Sequence, residues 1–283
     1  MNKGRISDAK LQEYCASDRT LTVCGVFSSG IYLADENERV IMLHDEKYGS
    51  IPFGIALDGF GGRGRELGIE AGQTAQLTGG VLNIGQLRIA LYYEPEKFGD
   101  TFCPPDIFRE RAGEKLKACE NAALAAYSRA DIGSLDKKSI EDPFAAAAFG
   151  GMELLEKGMK AADGAVISAA LDRLLGLGRG LTPSCDDFLT GAVYALGFYG
   201  RCTGHFHPAY SALSRTVREK ARERTNIFSA AYLISVCDGG DFSLMRRCLE
   251  NTEFDALLSV GSSSGADMLS GMCFAAALLK LAQ

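Results

Sequence analysis

Two rhythms divide the chain. In its first third, short apolar runs rich in Val, Ile, Leu and aromatics alternate with Gly and charged turns. The runs at 21–27, 31–34, 40–43, 51–57, 74–78 and 87–93 each predict a strand. Asp35-Glu36-Asn37-Glu38 separates two of them as a hairpin turn. Strands following one another without an intervening helix predict a small antiparallel sheet or barrel. After Pro104-Pro105 the apolar residues recur every three to four positions. That period predicts helices over 107–129, 144–160, 166–175, 186–199, 208–222, 227–237, 243–249 and 266–279. Several are rich in Ala and Gly, so they can approach one another closely in a largely buried bundle. The expected fold is α+β: a β-rich domain over 1–104 followed by an all-α domain over 105–283.

Composition narrows the class of partner. The 283 residues carry 30 Lys+Arg against 36 Asp+Glu, a formal net charge of −6. An acid excess argues against a nucleic-acid binder that relies on bulk positive charge. The apolar stretches are too short to span a bilayer, and the polar N-terminus offers no secretory segment. The 9 Cys are scattered without C-x-x-C spacing, as expected for reduced thiols in a cytoplasmic protein. A target of small size is left.

Two segments carry the most chemical information. The run Gly-Leu-Gly-Arg-Gly-Leu-Thr-Pro-Ser-Cys-Asp-Asp-Phe-Leu-Thr-Gly at 176–191 leads from a Gly-rich loop into an apolar helix. Ser184 and Asp187 fit an S-x-x-D capping box, and Asp186 and Asp187 suit the positive end of a helix dipole. The run Ser-Ser-Ser-Gly-Ala-Asp-Met-Leu-Ser-Gly at 262–271 aligns with 182–191 without a gap. Ser184 matches Ser264, Asp187 matches Asp267, Leu189 matches Leu269 and Gly191 matches Gly271. Capping does not call for Gly one turn into a helix, where it costs about 1 kcal/mol relative to Ala. Gly191 and Gly271 therefore point to a close neighbour on each helix, and the two loops to a shared cleft.

A third segment, Thr-Asn-Ile-Phe-Ser at 225–229, places Thr225 and Ser229 on one face if its helix starts near Thr225. Taken alone, the segment is better explained by an ordinary N-cap with a self-bonded serine. Together these segments offer hydroxyls, helix-start N–H groups, and the carboxylates Asp186, Asp187 and Asp267. Helix starts favour anions while adjacent acids oppose them, so either the acids face away or a cation bridges them to the ligand. Arg179 and Arg224 are candidates for it, as is Mg²⁺, although no metal site follows from the spacing. The expected ligand is small, with carboxylate, carbamoyl or phosphate groups. Gly180, Thr182, Asn226 and Ser263 complete the candidate binding residues.

Other candidates are weaker. Gly-Phe-Gly-Gly-Arg-Gly at 59–64 satisfies G-x-G-x-x-G, but no helix pattern follows it, so a Gly-rich hairpin loop is expected, Arg63 and Arg65 being minor candidates for an anion clamp. His205 and His207 lack an acid or thiol to complete a metal site. His44 is expected to be structural. Cys185 sits at a helix start, where its thiol could acidify, yet the flanking acids oppose this.

The run at 175–191 closely resembles the signature of a bacterial domain-of-unknown-function family that includes the AllH-type oxamate carbamoyltransferase subunit of allantoin degradation. The 225–229 and 261–271 segments also resemble its motifs. The family commonly has Gly where this chain has Cys185, and often Pro where it has Arg179. The resemblance implies a subunit of a multi-protein assembly in purine catabolism, converting oxalurate and phosphate to oxamate and carbamoyl phosphate. It implies no catalytic residues. On the bottom-up reading, Thr182, Ser184, Ser263 and Ser264 position the ligand, and Asp186, Asp187 or Asp267 orients an amine or binds Mg²⁺. The alternative is a non-catalytic ligand-binding or scaffold subunit. The scarcity of His, 3 in all, leans toward positioning and electrostatics over acid–base chemistry. Metal-dependent hydrolysis is a third expectation.

Overall fold

The computed structural model describes residues 2–27, 30–60, 66–96, 102–117, 124 and 143–280. Its contacts divide the chain into two compact units: residues 1–98 with 240–244, and residues 99–239 with 245–283.

The first unit is a closed eight-stranded barrel. Its strands are β1 (Asn2–Ile6), β2 (Arg19–Val26), β3 (Gly30–Ala34), β4 (Val40–Asp45), β5 (Gly54–Leu57), β6 (Thr74–Thr78), β7 (Val81–Ile84) and β8 (Leu87–Tyr93). They close in the order β1-β5-β4-β3-β2-β6-β7-β8. Most neighbours are antiparallel, but β1 runs parallel to β8 and β4 parallel to β5. The expected β-rich fold is thus a barrel with two parallel seams, not an open antiparallel sheet. Closure removes the free edges that an open sheet of short strands would expose.

Alternation along the strands fills the barrel. Leu21 and Val23 of β2, Ala75 and Leu77 of β6, Leu82 and Ile84 of β7, and Leu87 and Ile89 of β8 point to one core. Leu11, Tyr14 and Cys15 of the short helix α1 (Ala9–Cys15) join it. Asp35 organises the β3–β4 turn, its carboxylate accepting from the N–H groups of Asn37 and Arg39 at 2.9 Å each. Strands β1 and β7 and helix α1 lie outside the sequence expectation.

The second unit is helical. It comprises α2 (Pro105–Lys117), α3 (Pro143–Ala161), α4 (Gly164–Leu174), α5 (Ser184–Thr203), α6 (Tyr210–Arg224) and α7 (Ile227–Cys237). After these come α8 (Ser243–Asn251), whose first residues belong to the barrel unit, α9 (Asp255–Leu258) and α10 (Ser264–Lys280). The distal part of the helix expected over 107–129 lies outside the described residues. No helix among the described residues is long and apolar enough to cross a membrane.

Helices α5 and α10 form the centre of this unit. Residues 185–200 of α5 are buried without interruption, as are 265–278 of α10. A Cβ at Gly191 would lie 1.9 Å from the Met268 carbonyl oxygen, and one at Gly271 would lie 1.9 Å from that of Phe188. The contact is reciprocal, since Gly191 matches Gly271 in the repeated segments and Phe188 matches Met268. Only hydrogen at these two positions lets the helix backbones meet. Further along, the rings of Phe188 and Phe274 pack with centroids 5.4 Å apart.

Gly191→Ala or Gly271→Ala is therefore expected to cost about 2 kcal/mol or more, because a backbone carbonyl cannot swing aside as a side chain can. Gly113→Ala in α2, where an added Cβ meets nothing within 4 Å, is expected to leave stability unchanged or raise it by up to about 1 kcal/mol. Chemical denaturation of the three variants checks this; equal effects at Gly113 and Gly191 would contradict it.

Candidate functional site

The close approach of α5 and α10 sets their first turns side by side. The Thr182 hydroxyl, just before α5, lies 3.1 Å from that of Ser264, the first residue of α10. Thr182 also donates to the Asp187 carboxylate at 3.0 Å. Two segments 82 residues apart thus share one hydrogen-bonded cluster. The Ser264 hydroxyl favours the charged form of Asp187, while the hydroxyls of Ser184 and Ser263 and the backbone N–H of Leu124 favour that of Asp267. Ser264 serves the acid of α5 and Ser184 that of α10, while Ser263 serves the acid of the helix that it precedes.

This cross-pairing corrects the expected capping box. Helix α5 begins at Ser184 itself, and Pro183 holds the N-cap position with no side-chain bond. Ser184 serves Asp267 across the helix pair, and Asp187 is held by Thr182, so neither closes a local cap. The helix-start N–H groups are also less free than expected. The Cys185 N–H donates to the Leu177 carbonyl at 3.1 Å, and those of Asp186 and Asp187 reach back to Pro183. In α10 the Gly265 N–H donates to Val260 and that of Asp267 to Ser263.

The third segment joins the same site by a different geometry from that expected. Helix α7 begins at Ile227, with Asn226 as its N-cap, accepting from the N–H groups of Phe228 and Ser229 at 3.0 and 3.1 Å. The Asn226 amide donates to the Leu181 carbonyl at 2.8 Å and ties the 176–183 loop to α7. Thr225 donates to Asp186 at 2.5 Å, and the Gly176 N–H donates to the other oxygen of that carboxylate at 2.8 Å. Ser229, 1% exposed, also favours charge on Asp186, although its hydroxyl has no hydrogen bond of normal geometry. It is not bonded to its own helix backbone. Sequence reasoning missed the Gly176 N–H because its partner lies ten residues on.

The three acids lie under these hydroxyls. Asp186, Asp187 and Asp267 are 1%, 2% and 0% exposed, whereas Thr182, Ser184, Ser263 and Ser264 are half-buried. Burial raises all three carboxyls above their ordinary range. Asp187 stands well above it, because the charges of Asp267 and Asp186 add to burial and outweigh its two hydroxyl partners. Asp267 is pushed up to about 6. Neither of its oxygens makes a hydrogen bond of normal geometry among the described residues, and nor does the buried Ser270 hydroxyl one turn further along α10. Burial likewise pushes the Cys185 thiol up, with Asp186 and Asp267 adding to the shift, so it is no ready nucleophile.

The expected cations are not in this cluster. Arg224 pairs with Asp172 at 2.9 Å, and Arg179 and Gly180 lie exposed in the loop before α5. Among the described residues no group of three or more His, Cys, Asp or Glu is placed to hold a metal ion. His205 is exposed. His207 is buried, its Nδ1 accepting from the Ala209 N–H at 3.2 Å. His44 is buried in the barrel, its pKa lowered to about 4 mainly by desolvation, and its Nδ1 lies 3.0 Å from the Asp45 carbonyl. Of the Gly-rich run at 59–64, residues 61–64 lie outside the described residues, as does Arg65.

A carboxyl raised by burial stabilises the fold while it is protonated and loses that contribution as pH rises through its folded pKa. Asp267 should therefore cost the native state stability between about pH 4 and 7. Asp267→Asn, which keeps the shape without the charge, is expected to gain on the order of 2 kcal/mol over the wild type at pH 8 but little at pH 4.5. Urea denaturation across that range checks it, and a difference independent of pH would contradict it.

Comparison with known protein families gives two matches. Residues 174–276, spanning the helix-start segments, match the family described as oxamate carbamoyltransferase subunit AllH. Residues 5–96, the barrel, match the AllH family N-terminal domain. No solved structure matches the chain.

Proposed function

The chain belongs to the AllH family, and we propose that it is a working subunit of an oxamate carbamoyltransferase whose small polar ligand binds at the paired starts of α5 and α10. The reaction is carbamoyl transfer between oxalurate and phosphate, giving oxamate and carbamoyl phosphate. It is carried out in the cytoplasm by an assembly with other protein subunits. The observation that supports this reading is the cross-paired cluster itself: a half-buried rim of hydroxyls from two distant segments above buried carboxylates.

Such a cluster does chemistry by positioning. Hydroxyls both donate and accept, so Thr182, Ser184, Ser263 and Ser264 can meet the carbonyl, carboxylate and N–H groups of a planar substrate. Asp187, whose carboxyl burial raises well above its ordinary range, is held by the Thr182 hydroxyl beside the rim where a polar ligand group would sit. Asp186 is held by Gly176 and Thr225 and fixes the loop that carries Thr182. Arg179 and Arg224 take no part in binding on this reading, because one is exposed and the other is engaged by Asp172.

A second reading has its own support. Thr182, Ser264 and Asp187 satisfy one another, as they would if the cluster only fastened two helices in a scaffold subunit. The readings separate on activity. In the reconstituted assembly, Ser184→Ala and Asp187→Asn are expected to lower kcat/KM by 100-fold or more, with circular dichroism and assembly unchanged. Wild-type turnover from both folded variants would leave the scaffold reading standing instead.

A further inference from the structure

Asp267 raises a question that a fastening role does not answer. It is 0% exposed, and both its carboxylate oxygens lack a hydrogen bond of normal geometry among the described residues. A buried polar group left without a partner costs about 1–3 kcal/mol, and a charged one costs more. The hydroxyls of Ser184 and Ser263 and the backbone N–H of Leu124 face it closely enough to favour its charge, yet none completes a hydrogen bond of normal geometry. The acid therefore sits beside two hydroxyls of the cluster, with acceptor capacity on both oxygens that no hydrogen bond of normal geometry uses. The Ser270 hydroxyl, one turn along the same helix, is buried and equally unpartnered.

The rest of the cluster says which chemistry fits that capacity. A phosphate or a second carboxylate would require N–H donors or a cation beside it. The helix-start N–H groups of Cys185, Asp186, Asp187, Gly265 and Asp267 are already taken by carbonyls of the preceding segments. Arg224 is held by Asp172 and Arg179 is exposed. A metal ion finds no group of three or more ligating side chains among the described residues. What remains is a donor without full charge, and a planar group carrying N–H bonds fits. A ureido group, with a parallel N–H on each nitrogen, can meet both oxygens of one carboxylate. A primary amide can meet one and turn its second N–H to a hydroxyl.

We propose that the joined starts of α5 and α10 form a recognition site for a planar amide or ureido group, whose N–H donors are accepted by Asp267 while the Thr182, Ser184, Ser263 and Ser264 hydroxyls meet its carbonyl or carboxylate oxygens. This rests on the reading that the cluster binds ligand, and goes beyond it by naming which end of the ligand meets the protein's acid. Asp267 selects for nitrogen: a ligand with oxygen in place of the N–H group sets lone pairs against its carboxylate. Missing an expected hydrogen-bond partner in a site built for one discriminates strongly.

The test is binding, separate from turnover. Affinities of oxamate, oxalate and N,N-dimethyloxamate are measured by calorimetry with the full chain, alone and in its reconstituted assembly. Oxalate replaces the N–H₂ by oxygen, and the dimethyl compound keeps the charge of oxamate while removing both N–H donors. The native chain is expected to bind oxamate at least tenfold more tightly than either, and Asp267→Asn to reduce that preference to less than threefold. Equal affinity for oxamate and oxalate would overturn the proposal, as would a tenfold preference surviving in Asp267→Asn. Should that variant fail to fold, the comparison of the three compounds on the native chain still decides. Binding of none of them, alone or in the assembly, overturns this proposal together with the ligand-site reading. Selective oxamate binding with turnover untouched by Asp187→Asn leaves N–H recognition standing and removes only the catalytic role.

Discussion

The backbones of α5 and α10 meet at two glycines, and the candidate site depends on that approach. With Gly191 against the Met268 carbonyl and Gly271 against that of Phe188, no side chain separates the helices two turns below their starts. The hydroxyls above are then close enough for Thr182 to reach Ser264 and for Ser264 and Ser184 each to act on the other helix's acid. A methyl group at either glycine would part the helices by more than a hydrogen bond can follow. The same contact explains why small residues stand where helix propensity disfavours them: the gain is in the packing of two buried helices, not in either helix alone.

That packing places three carboxyl groups where water cannot hydrate them, which opposes ionisation in each. Asp186 is compensated by a backbone N–H and a threonine, and Asp187 by a threonine with help from Ser264. Asp267 faces the Ser184 and Ser263 hydroxyls and the Leu124 N–H, but neither of its oxygens completes a hydrogen bond of normal geometry. The gradient from satisfied to unsatisfied acid runs across the cluster, and a polar ligand gains most by binding at its unsatisfied end. Sites that bind by fixed dipoles commonly keep such uncompensated groups at the expense of stability.

Much of this was legible in the chain. The spans 74–78, 87–93 and 227–237 appear as β6, β8 and α7 with the expected ends, because each has clean periodicity and a turn residue at its boundary. Strand β1 was not legible: Asn2, Lys3 and Arg5 give it little apolar signal, and its place depends on pairing with β8 at the far end of the barrel sequence. Strand β7 is four residues between two glycine turns, too short for a period to show. The joining of the two loops could be read from the gapless repeat and its misplaced glycines. The direction of the serines could not. Local rules make Ser184 a cap for its own helix, and only a partner 83 positions away, Asp267, turns it across the helix pair. Thr225 is a similar case, since its acceptor belongs to another segment and leaves Asn226 to cap α7.

The central claim, that two distant segments act as one unit, is tested most directly by a double-mutant cycle on Thr182→Ala and Ser264→Ala, read by urea denaturation at pH 7. If the hydroxyls are paired as described, the double variant should lose about 0.5–1.5 kcal/mol less than the sum of the single losses. Losses that add to within about 0.3 kcal/mol would mean that the two helix starts do not communicate, and the shared site would fall with them.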